Sequence, residues 1–572
     1  MNRIPQWLES LPVANTAEAT SRLLTLLQRL NHTAVSATDR EAVLTQCEPL
    51  VANLIAALCR QPQRTAFPMT AKPAQTATLV GDLLRTLATA YKIIVVELAN
   101  ARLVPGKKGR LRTATHKASH YLAELVVHSY SCYAPVQEGI WSDIHQLFAF
   151  ARDEGYHNPE SMADEITHLY LTISLLALSN PYQLMSGEAR KVYQWLNDWA
   201  PQATLTQMAG PRPPEGVYYV DLATDAPPRY ALSADNPDIE DAYAFGLDGL
   251  LRQISLRLKE IIAAGDLANS RASRQERDLL LRLERAWTVR RRRRFPRTQH
   301  LSEITLASSL SACHYYISAE QPFEPERTEL EIRQKSSSNL ELVPEDFQPW
   351  RQDGFTDHKD RLSSGNHGAS YTARDRSSDV WHQIYVTKNR EPDESPADPA
   401  FPAAPLFQLD ESVGGLCVRC SPSSPLKLQV GELVVYEIGP LRDPANWRVG
   451  AIRWLLQRKD GDLEIGIKRL SRNALAVATR SVQGVGKGGG FFRSLLIPRA
   501  DPREKATAII VPAGVYDVGS LLALEMGDVI IHISLTKMLE TTGSYTVFAF
   551  RLAEAPGELI RRSAADPVRK VP

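Results

Sequence analysis

The chain has 572 residues, 44% of them hydrophobic, and carries 66 Lys+Arg against 65 Asp+Glu. That length exceeds a single core and suggests about three or four domains, while the apolar fraction excludes a disordered chain. The charges nearly cancel, which excludes a polyanion binder of whole-chain type, so any basic site must be local.

The 6 cysteines, Cys47, Cys59, Cys132, Cys313, Cys417 and Cys420, are too scattered for a disulfide framework and fit a reducing compartment. Residues 1–20 lack the basic start and apolar run of a signal peptide. The best apolar stretch, 169–179, falls far short of the roughly 20 residues needed to span a bilayer. The expectation is a cytoplasmic chain with no transmembrane segment.

Residues 1–205 read as an all-α helical domain. Apolar residues recur at three-and-four spacing over 21–30, 78–100, 121–130 and 166–177. Another helix opens at Ser186-Gly187-Glu188-Ala189 and stops at Pro201. Residues 206–289 read as a mixed connector, with VYYVDL and RYALS as short strands and helical periodicity over 239–265 and 273–287. A run of five arginines, 290–294, leads into Phe295-Pro296-Arg297.

Residues 304–317 (ITLASSLSACHYYI) read as a strand, and 319–404 as a long polar insertion of low periodicity. Together with the β-prone segments LCVRC, ELVVYEI, VGAIRWLLQ, LEIGIKRL and ALAVATRS they make up a β domain over 290–480. GVGKGGG at 484–490 reads as a flexible break. A second β module follows over 485–555, packing on the first or completing it, and 556–572 is a charged tail.

Two pieces carry the chemistry: Arg292-Arg293-Arg294-Phe295-Pro296-Arg297 and Asp410-Glu411-Ser412-Val413-Gly414-Gly415. Arginine forks grip phosphate and guanine O6/N7 bidentately and stack on purines. Pro296 fixes a bend by locking its own φ. Asp410 can accept from guanine N–H groups, Ser412 can donate or accept, and Gly414 and Gly415 permit a tight turn beside a base. These pieces resemble the two ligand signatures of the PilZ family, RxxxR at Arg293 and Arg297 and D/NxSxxG at Asp410, Ser412 and Gly415. Val449-Gly450-Ala451-Ile452-Arg453-Trp454 resembles the family's VGxVxW strand, and Leu463-Glu464-Ile465-Gly466-Ile467 its IGV strand.

The resemblance covers 290–317 and 405–480. It implies a six-stranded antiparallel β-barrel that binds cyclic di-GMP without catalysis, interrupted here by the long insertion and followed by a further β module. Arg292, ahead of the RxxxR pair, leans toward a stacked pair of nucleotides. The implied function is a receptor that relays second-messenger level to an unidentified protein partner through its helical domain. Ligand would order 290–297 and reorient that domain, in a process such as motility, pili, exopolysaccharide or biofilm formation. The two signatures lie about 110 residues apart, a separation that loop-closure entropy penalises only slowly.

The alternatives are a ligand-free scaffold with a degenerate barrel, and a nonspecific nucleic-acid binder using the arginine run. No nucleic acid is expected as a partner.

Cys417-Val418-Arg419-Cys420 has no second ligand pair and reads as structural. Gly484, Gly486 and Gly489 fit GxGxxG but precede a strand. His116 and His120 lack the acidic residue of a metalloprotease helix and read as exposed. The acidic cluster Glu324, Glu326, Glu329 and Glu331 reads as a solvated face that could cover the arginines when ligand is absent. No metal, cofactor or catalytic constellation is expected.

Overall fold

The computed structural model describes residues 4–59, 66–102, 104–156, 165–210, 212–232, 239–264, 271–288, 296–321, 323, 325, 401–438, 446–483, 490–497, 507–526 and 529–553. The chain divides into two units. One comprises Met1–Ala263, Leu279–Arg294 and Leu455–Leu463; the other comprises Ala264–Asp278, Phe295–Trp454 and Glu464–Pro572.

The first unit opens with helices α1 (Ile4–Glu9), α2 (Thr16–His32), α3 (Ala37–Cys59), α4 (Ala71–Asn100), α5 (Lys107–Ser131), α6 (Ile140–Asp153), α7 (Glu165–Leu178) and α8 (Glu188–Trp199). Asn15 caps α2 by accepting from the Glu18 N–H. In α4, Val80, Leu83, Leu84, Leu87, Tyr91, Ile94 and Leu98 form the buried stripe that packs on α5. α6 starts at Gly139, which has no side chain to satisfy its first N–H groups. Asp225 supplies the missing oxygens, accepting from Gly139 N at 2.6 Å and Ser142 N at 2.9 Å.

One described helix, α3, is long and apolar enough to cross a membrane by length and composition, which corrects the expectation that 169–179 is the best apolar stretch. It nevertheless puts Val43, Leu44, Cys47, Val51, Leu54 and Leu58 into the core of the first unit. Its buried Arg40 donates to Leu30 O at 2.7 Å and Thr33 O at 3.1 Å, satisfying carbonyls at the end of α2.

Strands β1 (Thr204–Gln207), β2 (Tyr218–Asp221), β3 (Arg229–Tyr230) and β4 (Ala242–Gly246) form an antiparallel sheet in the order β1-β4-β2-β3. Tyr218, Val220, Tyr243 and Phe245 join the helical core, while Tyr219 and Ala242 join a small cluster with Ala231 and Ile239. This period-2 alternation makes 242–246 a strand, so the helix expected over 239–265 begins only with α9 (Asp248–Ala263). α10 spans Arg271–Trp287. Leu250 and Ile254 of α9 and Leu279, Leu280, Leu283 and Trp287 of α10 are buried in the same core as α2–α8, so much of the expected connector is part of that core.

In the second unit, apart from residues 455–463, β5 (Thr298–Ser308), α11 (Leu310–Ile317), β6 (Ala403–Ser412), β7 (Gly415–Cys420), β8 (Leu433–Ile438), β9 (Arg448–Gln457) and β10 (Leu463–Ser471) follow in sequence. The strands close a barrel in the order β10-β7-β6-β5-β8-β9. The strand expected over 304–317 ends at Ser308. Ser309 turns the chain and its Oγ accepts from Ala312 N at 3.1 Å, capping α11. Its sequence is apolar nearly all round because it is buried on nearly every side, and that erases the periodicity that would have marked a helix.

A second closed barrel contains β11 (Leu475–Gln483), β12 (Phe492–Ile497), β13 (Ala508–Pro512), β14 (Leu521–Met526), β15 (Val529–Thr541) and β16 (Tyr545–Leu552), in the order β11-β12-β13-β16-β15-β14. The second module is thus a barrel in its own right, and ALAVATRS supplies its first strand. Residues 484–489, which contain the expected flexible break and the GxGxxG match, lie outside the described residues, between β11 and β12 in sequence.

The second barrel is buried on two faces. Leu496, Ile509, Val511 and Phe548 fill its own core. Leu495, Ile497, Ile510, Tyr545 and Val547 pack with Leu433, Val435, Val449 and Ala451 of the first barrel and with Leu310, Cys313 and Tyr316 of α11. Two apolar faces explain the unbroken runs SLLI and AIIVP, where one buried face would give alternation.

Candidate functional site

The antiparallel pairing of β5 with β6 brings the two distant pieces together. Thr298 lies opposite Glu411 and Gln299 opposite Asp410. Arg297, immediately before β5, donates from Nη1 to Asp410 Oδ2 at 2.8 Å across 113 residues of sequence. Their side chains are 36% and 23% exposed, so the pair is reachable from solvent.

The strands are irregular at this point. The β5–β6 register shifts between Gln299 and Ser302, and the β6–β7 register shifts between Gln408 and Asp410. Such bulges bend a strand and re-aim its side chains. Asp410 Oδ1 is buried and has no hydrogen-bond partner among the described residues, so one carboxylate oxygen holds Arg297 and the other retains its accepting capacity there.

Ser412 pairs with Gly415 to close the β6–β7 hairpin, and its Oγ donates to Gly415 O at 3.2 Å. Neither Gly414 nor Gly415 has positive φ, contrary to the expectation of a conformational role. The requirement at Gly415 is close approach, since a Cβ there would overlap the Ile467 carbonyl oxygen of β10. The glycines of the two family-like strands have the same explanation. A Cβ at Gly466 would enter the Trp454 indole, and one at Gly450 would meet Ile467 Cγ2 at 2.6 Å.

Behind the hairpin lies Arg469 of β10, which the sequence reading did not single out. Its backbone N–H donates to Gly414 O at 3.0 Å. Its guanidinium pairs with Glu411, donates from Nη1 to Val413 O at 3.4 Å and from Nε to the Tyr436 hydroxyl at 3.2 Å. Arg448 approaches Glu411 from β9 at 3.9 Å. The available signals were Glu411 inside the second signature and the basic pair Lys468-Arg469 after the IGI strand, but only tertiary pairing joins them.

Cys417 lies opposite Asp410 in the β6–β7 register. Burial pushes its thiol up to about 12, with the Asp410 and Glu464 carboxylates adding and Arg297 and Arg419 opposing. Both Cys417 and Cys420 are buried free thiols, and Cys417 stays protonated and inert. His116 and His120 are half-buried on α5 with stacked rings 6.5 Å apart, and burial lowers the pKa of each. Among the described residues no cluster of three or more His, Cys, Asp or Glu could hold a metal ion. Arg292, Arg293 and the acidic residues Glu324, Glu326, Glu329 and Glu331 lie outside the described residues.

Three family models match the chain in succession. The N-terminal domain of the cyclic-di-GMP receptor FimW matches residues 2–212, its middle PilZ domain residues 217–475, and its C-terminal β-barrel domain residues 477–553. The cyclic-di-GMP receptor FimW of Pseudomonas aeruginosa is 24% identical over 598 residues, an alignment covering 100% of this chain and 93% of that relative. No solved structure matches the chain. With a helical region, a barrel that joins the two signature pieces, and a second barrel in the order of the three models, the chain belongs to the PilZ-domain family of the FimW type.

Proposed function

We propose that this chain is a cyclic di-GMP receptor whose ligand binds at the open end of the first barrel, where the start of β5 meets the β6–β7 hairpin. The observation that carries the site is the 2.8 Å contact of Arg297 with Asp410, two residues that share a surface only because the strands pair. Arg297 offers a guanidinium fork to phosphate or to guanine O6/N7. Asp410 keeps an unused acceptor for guanine N–H groups, and Ser412 and Gly415 hold the hairpin edge against which a base can lie. Arg292 and Arg293 complete the arginine set from the adjoining sequence.

The chain works as a non-enzymatic effector in the cytoplasm, with the helical domain as the surface for a protein partner. Its helical domain takes in much of the 206–289 connector, its first barrel ends before β11, and its second barrel runs from β11 to β16. The output belongs to the processes that cyclic di-GMP governs, motility and biofilm formation among them.

Calorimetric titration with cyclic di-GMP tests the proposal. Wild type should saturate, whereas Arg293→Ala, Arg297→Ala and Asp410→Ala should each weaken binding by about 10- to 100-fold, the loss of one or two charge-assisted hydrogen bonds. Wild-type affinity in all three variants would refute the site. Binding of any polyanion with a steep salt dependence would replace the receptor reading with nucleic-acid binding.

A further inference from the structure

We infer that Arg469 is a positioning residue for the ligand hairpin: from behind, it fixes the segment Glu411–Gly414 so that Asp410 and Ser412 meet the ligand already in place. The inference rests on the site reading above.

Among the described residues, the polar groups that Arg469 touches are on the hairpin or anchor Arg469 itself. Its guanidinium holds the Glu411 carboxylate, one residue beyond Asp410, and the Val413 carbonyl at the hairpin tip, 3.4 Å away. Nε is steadied by the hydroxyl of Tyr436, a buried residue of β8, at 3.2 Å. The side chain is only 7% exposed, so its charge is spent on the protein rather than presented to a ligand. It therefore acts through the hairpin.

The hairpin needs such a hold. The adjoining bulge leaves Leu409, next to Asp410, without a partner in the β6–β7 register, Val413 projects into solvent at 65% exposure, and no glycine at 414 or 415 is locked by a left-handed turn. A two-residue tip carrying these features would sample several conformations, and each that misplaces Asp410 lowers the competent fraction and the affinity in proportion. Arg469 reaches three successive parts of the segment, the Glu411 side chain, the Val413 carbonyl and the Gly414 carbonyl, from a single strand. Lysine could supply charge to Glu411 but not the fork that reaches Glu411, Val413 and Tyr436 together.

The test is calorimetry of the full chain with cyclic di-GMP, with melting curves on each variant. Arg469→Ala should weaken binding about tenfold while the protein still melts cooperatively, and Arg469→Lys should recover only part of the loss. Glu411→Ala should weaken binding less, and its effect should not add to that of Arg469→Ala, because both remove one tie. Should Arg469→Ala fail to fold, Tyr436→Phe decides: binding weakened about threefold supports the inference, and unchanged binding overturns it. Wild-type affinity in a folded Arg469→Ala protein also overturns it. Arg297→Ala and Asp410→Ala run in parallel. If they too bind like wild type, the site reading has failed; if they lose binding while Arg469→Ala does not, only the positioning role has failed.

Discussion

Arg453 of the first barrel and Glu540 of the second form a two-pronged ion pair, with Nη2 of Arg453 2.7 Å from Oε1 and 2.8 Å from Oε2. The Tyr545 hydroxyl donates to the same carboxylate at 2.6 Å, and Lys468, the residue before Arg469, approaches it at 3.4 Å. A second polar tie runs from Ser544 Oγ to Glu432 Oε2 at 3.1 Å. With the apolar residues shared between them, these contacts make the two barrels one body. They also place the second barrel one residue away from the strand position that braces the ligand hairpin.

The pair sets an expectation for acid stability. Burial opposes the charge on Glu540, but Arg453, Lys468 and the Tyr545 hydrogen bond outweigh it and hold the carboxyl at about 2, down from 4.5. A depressed folded pKa gives stability that is fully present above pH 4.5 and is lost as pH falls toward 2. Glu540→Gln should therefore lower neutral-pH stability of the barrel pair by on the order of 3 kcal/mol and flatten its loss across that acid window. Denaturant melts from neutral pH into the acid range check this; parallel profiles for wild type and variant would show that Glu540 contributes nothing there.

What could be read from the sequence follows the number of buried faces. Helices with one apolar stripe, such as α4 with Leu83, Leu87 and Ile94, announce themselves. So does the meeting of Arg297 with Asp410, because the two motifs specify a geometry that β5–β6 pairing supplies. Elements buried on several sides lose their period. α11 reads as strand because Leu310, Cys313 and Tyr316 share the core between two barrels, and ALAVATRS falls to the wrong barrel because nothing in its short β-prone pattern says which sheet it joins. Arg469 was passed over for a related reason: its purpose exists only in its contacts with Glu411, Val413 and Tyr436.

Asp225 provides a test of how the first unit is held together. It caps α6 from 86 residues away, where the helix's own Gly139 has no side chain. Burial opposes its ionisation, but backbone donors from Gly139, Ser142 and Trp141 prevail and lower its pKa. Asp225→Ala should cost about 1–2 kcal/mol, the usual loss for a removed N-cap, and should speed amide exchange at the start of α6. Asp225→Asn, which keeps an accepting oxygen, should recover most of this. Undiminished protection of the Gly139 and Ser142 amides in the alanine variant would rule the cap out.

Gly466 and Gly415 both exclude a Cβ, yet they should respond differently to repair. At Gly466 the obstacle is the Trp454 indole, a side chain that can be removed. Gly466→Ala should destabilise the first barrel by about 1–3 kcal/mol through overpacking, and adding Trp454→Ala should relieve the clash, so that the double variant is more stable than the two separate losses sum to. At Gly415 the obstacle is the Ile467 carbonyl, which is backbone. No side-chain substitution clears it, so Gly415→Ala must push the hairpin away from β10, and with it Ser412 and the Arg469 contacts. Its signature should be weakened cyclic di-GMP binding that truncation of neighbouring side chains cannot restore. Melting curves and ligand titrations on the three single variants and the 454/466 double variant measure both effects. Full additivity at 454 and 466 would show that the Trp454 indole is not the obstacle at Gly466, and wild-type affinity in Gly415→Ala would show that β10 does not bear on the hairpin in this way.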